Sequence, residues 1–134
     1  MRRFTAAVIQ MCSGTDREEN LRTLSGFVRE AADRGAQVAV LPEFSAYRGL
    51  EKERYAEEIP GGPSYQFFSK LARETGLWLN CGSIYEKNSS DSRPYNCSLV
   101  FRPDGTLAAR HRKLHPFDAE LPDGTAVHES DQVA

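Results

Sequence analysis

The first residue whose type and place suit chemistry is Glu43, in Val40-Leu41-Pro42-Glu43-Phe44. Between Leu41 and Phe44, at the end of an apolar run, it is expected to be partly desolvated. Desolvation raises a carboxylate pKa toward the range of a general base. The same position also suits a surface glutamate in a strand-to-loop turn. The second residue is Lys113, in the only dense basic cluster, Arg110-His111-Arg112-Lys113-Leu114-His115. A lysine near a carboxylate can stabilise an oxyanion or form a structural ion pair, and a solvated strand end fits the charge pattern as well. His111 and His115 have i, i+4 spacing, which would suit a metal on a helix. Pro116 and the preceding strand argue against a helix, and His128 adds no ligand pattern, so no metal site is expected. Cys12 follows the first strand on the edge that Glu43 shares if the strands are parallel, making it a candidate nucleophile. No histidine lies near it in sequence to act as its base. Cys81 and Cys97 fall inside predicted strands and read as small buried hydrophobes.

These residues need a frame. Phe4 to Met11 reads as a buried strand, broken by Ser13-Gly14-Thr15-Asp16. Thr15 and Glu18 have capping-box spacing, and Asp16 and Glu18 lie where a helix N-terminus favours acids. Leu21, Leu24, Val28 and Ala31 recur at helical spacing up to Gly35. Val38 to Leu41 is a second apolar strand, so the opening third reads as a βαβ unit with a parallel pair. Glu43 then lies just past a strand's carboxyl end, the edge that ligand sites favour in α/β sheets. Residues 46 to 62 read as irregular. Pro63 opens a helix whose face is Phe67, Phe68, Leu71 and Ala72, and Gly76 ends it. Strands are predicted over Leu77 to Ile84, Tyr95 to Phe101 and Leu107 to Arg112, with a tight turn at Pro103-Asp104-Gly105. Two hairpins in series make the later sheet partly antiparallel. Residues 118 to 134 hold five acidic side chains and no Lys or Arg. They read as a surface loop or a frayed tail.

The bulk properties narrow the classes. The chain has 134 residues, one domain's worth. It is 40% hydrophobic and 27% charged, the balance of a globular protein with a core. A net charge of −2 gives no field for nucleic acid. The apolar runs are too short to span a membrane. The basic start, Met1-Arg2-Arg3-Phe4, is followed by no signal-peptide apolar region, so the Asn-x-Ser sequons at Asn88 and Asn96 are attributed to chance. Three cysteines with no close pairing suit a reducing cytoplasm.

Taken in order, the motifs are specific. Ala7-Val8-Ile9-Gln10-Met11, Leu41-Pro42-Glu43-Phe44, Pro60-Gly61-Gly62-Pro63, Asn96-Cys97-Ser98 and Arg112-Lys113-Leu114-His115-Pro116-Phe117-Asp118 resemble, in order and spacing, the nitrilase superfamily of carbon–nitrogen hydrolases. The resemblance covers essentially the whole chain. It implies an α/β fold, an α-β-β-α sandwich with two sheets between helices, of which this chain would hold the N-terminal half. It implies homo-oligomers, a Glu–Lys–Cys mechanism and no cofactor. Glu43 would be the general base and Lys113 the stabiliser of the tetrahedral intermediate. A second glutamate would orient the lysine, with Glu129 the match and Glu120 the alternative. Phe44, Tyr47, His115 and Phe117 are expected to contact substrate. The Lys-x-His-x-Phe-Asp and His-Glu-Ser segments look closer to the amidase branches, which implies a small linear amide such as the ω-amide of a carboxylic acid.

One departure from the family pattern stands out. None of Cys12, Cys81 or Cys97 occupies the nucleophile's place, which is expected beyond Ala134. The 134 residues alone are therefore expected to be inactive, with an unpaired sheet edge and an uncovered apolar face. Two rivals follow: a non-catalytic interaction module that pairs with a longer relative, and a two-chain enzyme whose partner supplies the thiol.

Overall fold

The computed structural model describes residues 3–134; Met1 and Arg2 of the basic start lie outside the described residues. Strand β1 (Ala6–Val8) leads to helix α1 (Arg17–Asp33) and strand β2 (Val38–Val40), and β1 and β2 pair in parallel, Ala7 opposite Ala39. The predicted βαβ unit is therefore present. The helix cap falls one residue later than the Thr15–Glu18 spacing suggests: the Asp16 carboxylate accepts from Glu19 N at 3.0 Å. A carboxylate there accepts an otherwise orphan N–H and meets the positive helix end.

The irregular stretch from residue 46 to 62 contains one short helix, α2 (Lys52–Tyr55), that periodicity could not show. Helix α3 (Pro63–Thr75) starts on its proline and ends at Gly76, whose φ is 67°. Its N-cap, Gly62, has no side chain to offer. Buried Glu57 does the capping from the side, accepting from Ser64 N at 2.8 Å and Ser64 Oγ at 2.5 Å. A Cβ on Gly62 would lie 2.4 Å from that carboxylate, so the glycine makes room for the cap.

The stretch from Leu77 to Ile84 forms two strands rather than one: β3 (Trp78–Asn80), parallel to β2, and β4 (Ile84–Glu86). Gly82 breaks it with φ 69°, and a Cβ there would come within 1.8 Å of the Pro42 carbonyl oxygen. The end of β2 presses on this point, and only glycine permits both the turn and the approach. Strands β5 (Tyr95–Phe101) and β6 (Leu107–Arg112) complete a six-stranded sheet in the order β1-β2-β3-β5-β4, with β6 also pairing β5 and the last pairings antiparallel.

The acidic stretch is not a loop without regular structure. Strands β7 (Asp118–Glu120) and β8 (Ala126–His128) form an antiparallel hairpin, followed by a 3-10 turn (Glu129–Asp131) and buried Val133. The β5–β6 and β7–β8 turns carry the same tetrapeptide, Pro-Asp-Gly-Thr, and the same bonds. In each, the glycine N–H donates to the residue before the proline (2.8 and 2.9 Å), and the Asp carboxylate accepts from the Thr N–H (2.8 and 2.9 Å).

Helices α1 and α3 cover one face of the large sheet. Leu24, Val28, Phe68 and Leu71 from the helices meet Ala39, Leu79, Leu99 and Phe101 from the strands. Burying each large apolar side chain contributes about 1.5–3 kcal/mol, so this face holds the fold together. The strand alternation sends the other residues to the opposite face, which no described helix covers. There β1 departs from the buried strand expected: Val8 is 83% exposed, because β1 lies at the sheet edge with no layer over that side.

Candidate active site

Glu43 and Lys113 meet at the rim of the open face. Lys113 Nζ lies 3.2 Å from Glu43 Oε1 and 2.8 Å from Glu129 Oε2, so one ammonium is shared between two carboxylates. Each arrives on a different element. Glu43 follows β2 in a turn pinned by its neighbours: Phe44 N donates to Ser83 Oγ at 3.0 Å, Ser45 N to Ser83 O at 3.2 Å and Ser45 Oγ to Cys81 O at 2.6 Å. Phe44 takes a left-handed φ of 52°, a cost that clusters at functional turns. Lys113 extends the β6 ladder by one residue, its N–H donating to Asn96 O at 2.8 Å. Glu129 is delivered by the β7–β8 hairpin and bound back, its Oε2 accepting from Phe117 N at 2.5 Å.

The electrostatics follow from this sharing. Burial opposes the charge on Lys113, but the hydrogen bonds it donates to Glu129 and Glu43 outweigh it and raise its pKa above the ordinary lysine value. Burial pushes Glu129 upward, and the bonds from Lys113 and Phe117 N–H more than offset it, so its pKa falls. Glu43 is not desolvated as expected, because its side chain is 54% exposed. Its Oε1 takes both Lys113 and Asn96 Nδ2 (2.6 Å), leaving Oε2 without a hydrogen bond among the described residues. A fixed carboxylate with one free oxygen beside an ammonium that is charged near neutrality can move a proton and steady a nearby oxyanion.

Two cavities share this pair. One, of about 560 Å³, lies over the open sheet face and is lined by Asn80, Asn96, Ser98, His111 and His115 as well as Glu43 and Lys113. The other, of about 460 Å³, is lined by Phe44, Tyr85 and Phe117, with Glu43, Lys113 and Glu129. Phe44, His115 and Phe117 thus lie at the site, in different cavities. Tyr47 does not. It is buried in a second cluster, stacked on Tyr55 with ring centroids 3.7 Å apart, and its hydroxyl accepts from Glu51 N. An aromatic just after the motif faces inward here because Tyr55 and Tyr85 pack against its ring. Among the described residues the anions paired with Lys113 are Glu43 and Glu129, so Glu120 on β7 does not take that place.

No cysteine lines either cavity. Cys81 and Cys97 are buried in the core, and burial pushes both thiols up to about 12, with the Glu86 carboxylate adding to the effect at Cys97. Neither supplies a thiolate near neutrality. Cys12 is exposed and stands apart from both cavities. The site residue that sequence reasoning left out of the machinery is Asn96, buried and holding Glu43. Its signal was an Asn on the strand beside the lysine's, at a position facing away from the helices.

Comparison with known proteins gives the family and the fold. The carbon–nitrogen hydrolase family model matches residues 5–132, and the chain belongs to that family. It is 40% identical to a hydrolase of Schizosaccharomyces pombe over 99% of this chain and 42% of that protein. It is also 40% identical to an omega-amidase of Bos taurus over 100% of this chain and 48% of that protein. The chain thus spans less than half the length of these relatives. The crystal structure of the Caenorhabditis elegans NitFhit protein superposes with a TM-score of 0.82 at 28% identity, covering 98% of this chain and 32% of that one. Saccharomyces cerevisiae Nit3, a member of branch 10 of the nitrilase superfamily, superposes with a TM-score of 0.78 at 27% identity, over 96% of this chain and 47% of that one. The fold is the nitrilase-superfamily fold, represented here by one helix layer on the large sheet.

Proposed function

We propose that this chain carries the acid–base and oxyanion-stabilising half of an amidase that hydrolyses a small linear amide to a carboxylic acid and ammonia. The observation that carries the reading is the Lys113 ammonium shared between Glu43 and Glu129 at the mouth of two cavities. In this reading Glu43 takes the proton of a cysteine thiol as its sulfur bonds to the amide carbon. Lys113 stabilises the tetrahedral oxyanion, and Glu43 returns the proton as the C–N bond breaks and ammonia leaves. Water, activated by the same carboxylate, then cleaves the thioester. Glu129 keeps Lys113 charged. The thiol comes from outside these 134 residues, either in the same polypeptide or from a partner, and assembly is between copies of the chain. The free cysteines suit a reducing compartment.

The test is ammonia release from linear amides, with mass spectrometry for an acyl-thioester on the supplied cysteine. The 134-residue chain alone is expected to release none. Turnover by that chain that survives Cys12→Ala but not Glu43→Gln would overturn the nucleophile assignment. The uncovered sheet face favours a second reading, a non-catalytic module that pairs with a longer relative. Its mark would be stable association with that relative and no effect of Glu43→Gln on the complex's activity.

A further inference from the structure

Glu129 reaches Lys113 from a lightly anchored element. The β7–β8 hairpin pairs over three residues, β8 is exposed along its length and β7 is at most half-buried. The bonds from Glu129 N to Phe117 O and from Ser130 N to Asp118 Oδ1 close within this unit and move with it. Ties to the rest of the molecule follow Glu129. Val133 is buried, Ala134 N donates to Pro94 O at 3.0 Å, and the Gln132 side chain accepts from Lys52. Nearest to Glu129 is Arg93, whose Nη1 donates to Ser130 O at 2.8 Å. Arg93 is itself held. Asp91 Oδ1 accepts from Arg93 N at 2.9 Å, and Oδ2 accepts from Nε at 2.9 Å and from Nη2. The Arg93 bonds hold the Asp91 carboxyl down at about 2, so the clamp is charged at neutral pH. One side of the guanidinium fork is spent on Asp91, and the remaining terminal nitrogen takes the Ser130 carbonyl. A lysine's point charge cannot serve both in that geometry.

We infer that Arg93, locked by Asp91, is a positioning residue: it fixes the 3-10 turn so that the Glu129 carboxylate stays on Lys113. The inference rests on the amidase reading above for the reaction, though not for the positioning. Arg93 lines neither cavity that holds Glu43 and Lys113, and it acts through the Ser130 backbone. The charged and titratable groups around Lys113 are Glu43 and Glu129, bonded to it, with Arg48 and Lys52 lining one cavity and His111 and His115 the other. Against that background the two ways in which loss of Arg93 could reach Lys113 have opposite signs. By field alone, removing a cation while the Asp91 anion stays favours the ammonium and moves the Lys113 titration up. If Glu129 slips away instead, Lys113 loses an anion that favours its charged form, and the titration moves down.

The test follows Lys113 by NMR titration of isotope-labelled lysine in the active enzyme with its thiol, alongside kcat and KM for a linear amide. Arg93→Met should lower kcat about ten-fold at nearly constant KM, the scale of a misplaced active-site group. It should also move the Lys113 titration to lower pH. Arg93→Lys, which keeps a donor for Ser130 O but not the fork, should restore part of both. In a Glu129→Gln background Arg93→Met should leave the Lys113 titration where it is, because its effect passes through Glu129. An upward shift or none in Arg93→Met, or a further downward shift in the Glu129→Gln background, overturns the positioning role. Should Arg93→Met fail to fold, Asp91→Asn reads the same quantities through a loosened guanidinium. A smaller downward shift with a smaller loss of kcat upholds the clamp, and parent values overturn it. The titration needs no substrate, which keeps the two readings apart. An Arg93-dependent Lys113 titration in a protein that releases no ammonia upholds the positioning and sinks the amidase reading. Ammonia release with Lys113 titrating in Arg93→Met as in the parent does the opposite.

Discussion

Two clusters in this molecule divide three charges in opposite ways. At the end of β4, one carboxylate, Glu86, lies between two guanidiniums, Arg110 and Arg112. At the rim of the open face, one ammonium, Lys113, lies between two carboxylates. Arg112 and Lys113 are neighbours in sequence, and strand alternation sends them to opposite sides of the sheet. The Glu86 side chain is 3% exposed and accepts from Nε of both arginines (3.2 and 3.1 Å) and from their terminal nitrogens, while Arg112 stacks 3.9 Å over Tyr95. Every acceptor there is in use. Glu43 keeps one oxygen free and half its surface in solvent. The saturated cluster can only hold strands together, whereas the unsaturated one has capacity left for a substrate. The cations match the roles: arginine's fork suits a permanent clamp and lysine's point charge a passing oxyanion.

The sharpest way to break this comparison is a crossed pair of isosteric changes. In the active enzyme, Glu43→Gln should lower kcat by about a thousand-fold, the loss of a general base, with little change in unfolding midpoint. Glu86→Gln should do the reverse. It leaves two arginines facing a neutral amide and should cost about 2 kcal/mol in denaturant unfolding, at the low end for a broken buried pair because both arginines reach solvent. If Glu43→Gln destabilised the fold as much as Glu86→Gln, the two clusters would not differ as described.

Asn96 gives a smaller effect on the same axis. Its Nδ2 fixes Glu43 Oε1 at 2.6 Å, while its backbone oxygen, untouched by mutation, carries the Lys113 N–H. Asn96→Ala should therefore lower kcat about ten-fold through misplacement of the carboxylate, with KM nearly constant. Asn96→Asp should be worse, since it sets a like charge beside Glu43. A rise in KM at unchanged kcat would place Asn96 in binding rather than positioning.

Acid unfolding separates the clusters further. Burial pushes Glu86 upward, but the bonds from Arg112, Cys97 and Arg110 win and its folded pKa lies below the ordinary 4.5. A depressed carboxylate contributes stability that is full above its unfolded value and lost as pH falls through the folded one. Stability should thus decline below about pH 4.5, and Glu86→Gln should flatten that decline. Lys113 has the opposite sign: its raised pKa gives stability that is full below the lysine's ordinary 10.5 and lost at higher pH. Urea titrations across both windows read each arm separately.

Much of this was legible beforehand where local chemistry decides the outcome. The α1 face, the Pro63 and Gly76 boundaries of α3, and the β5 and β6 ranges follow from periodicity and turn residues. The β7–β8 hairpin was within reach, because its Pro-Asp-Gly-Thr repeats the turn already recognised at residues 103–106. The acidic composition hid it. The split at Gly82 was not legible, since its cause is the Pro42 carbonyl some forty residues earlier pressing on that backbone. The placement of Glu43 and the burial of Tyr47 were hidden for the same reason: the partners that fix them, Asn96 and Lys113 for the one and Tyr85 for the other, lie far along the chain.

Tyr47 supplies the smallest test. If it lined the site, removing its hydroxyl would change substrate kinetics. Here the hydroxyl only accepts from Glu51 N at 3.2 Å, at the start of α2, and the ring is packed between Tyr55 and Tyr85. Tyr47→Phe keeps the stack and leaves one N–H without a protein partner at a partly solvated helix end. The expected cost is about 0.5–1 kcal/mol in unfolding, with kcat and KM both within two-fold of the parent, roughly the scale of one lost neutral hydrogen bond. A larger change in KM than in stability would return Tyr47 to the substrate wall and move the boundary between the two regions to its other side.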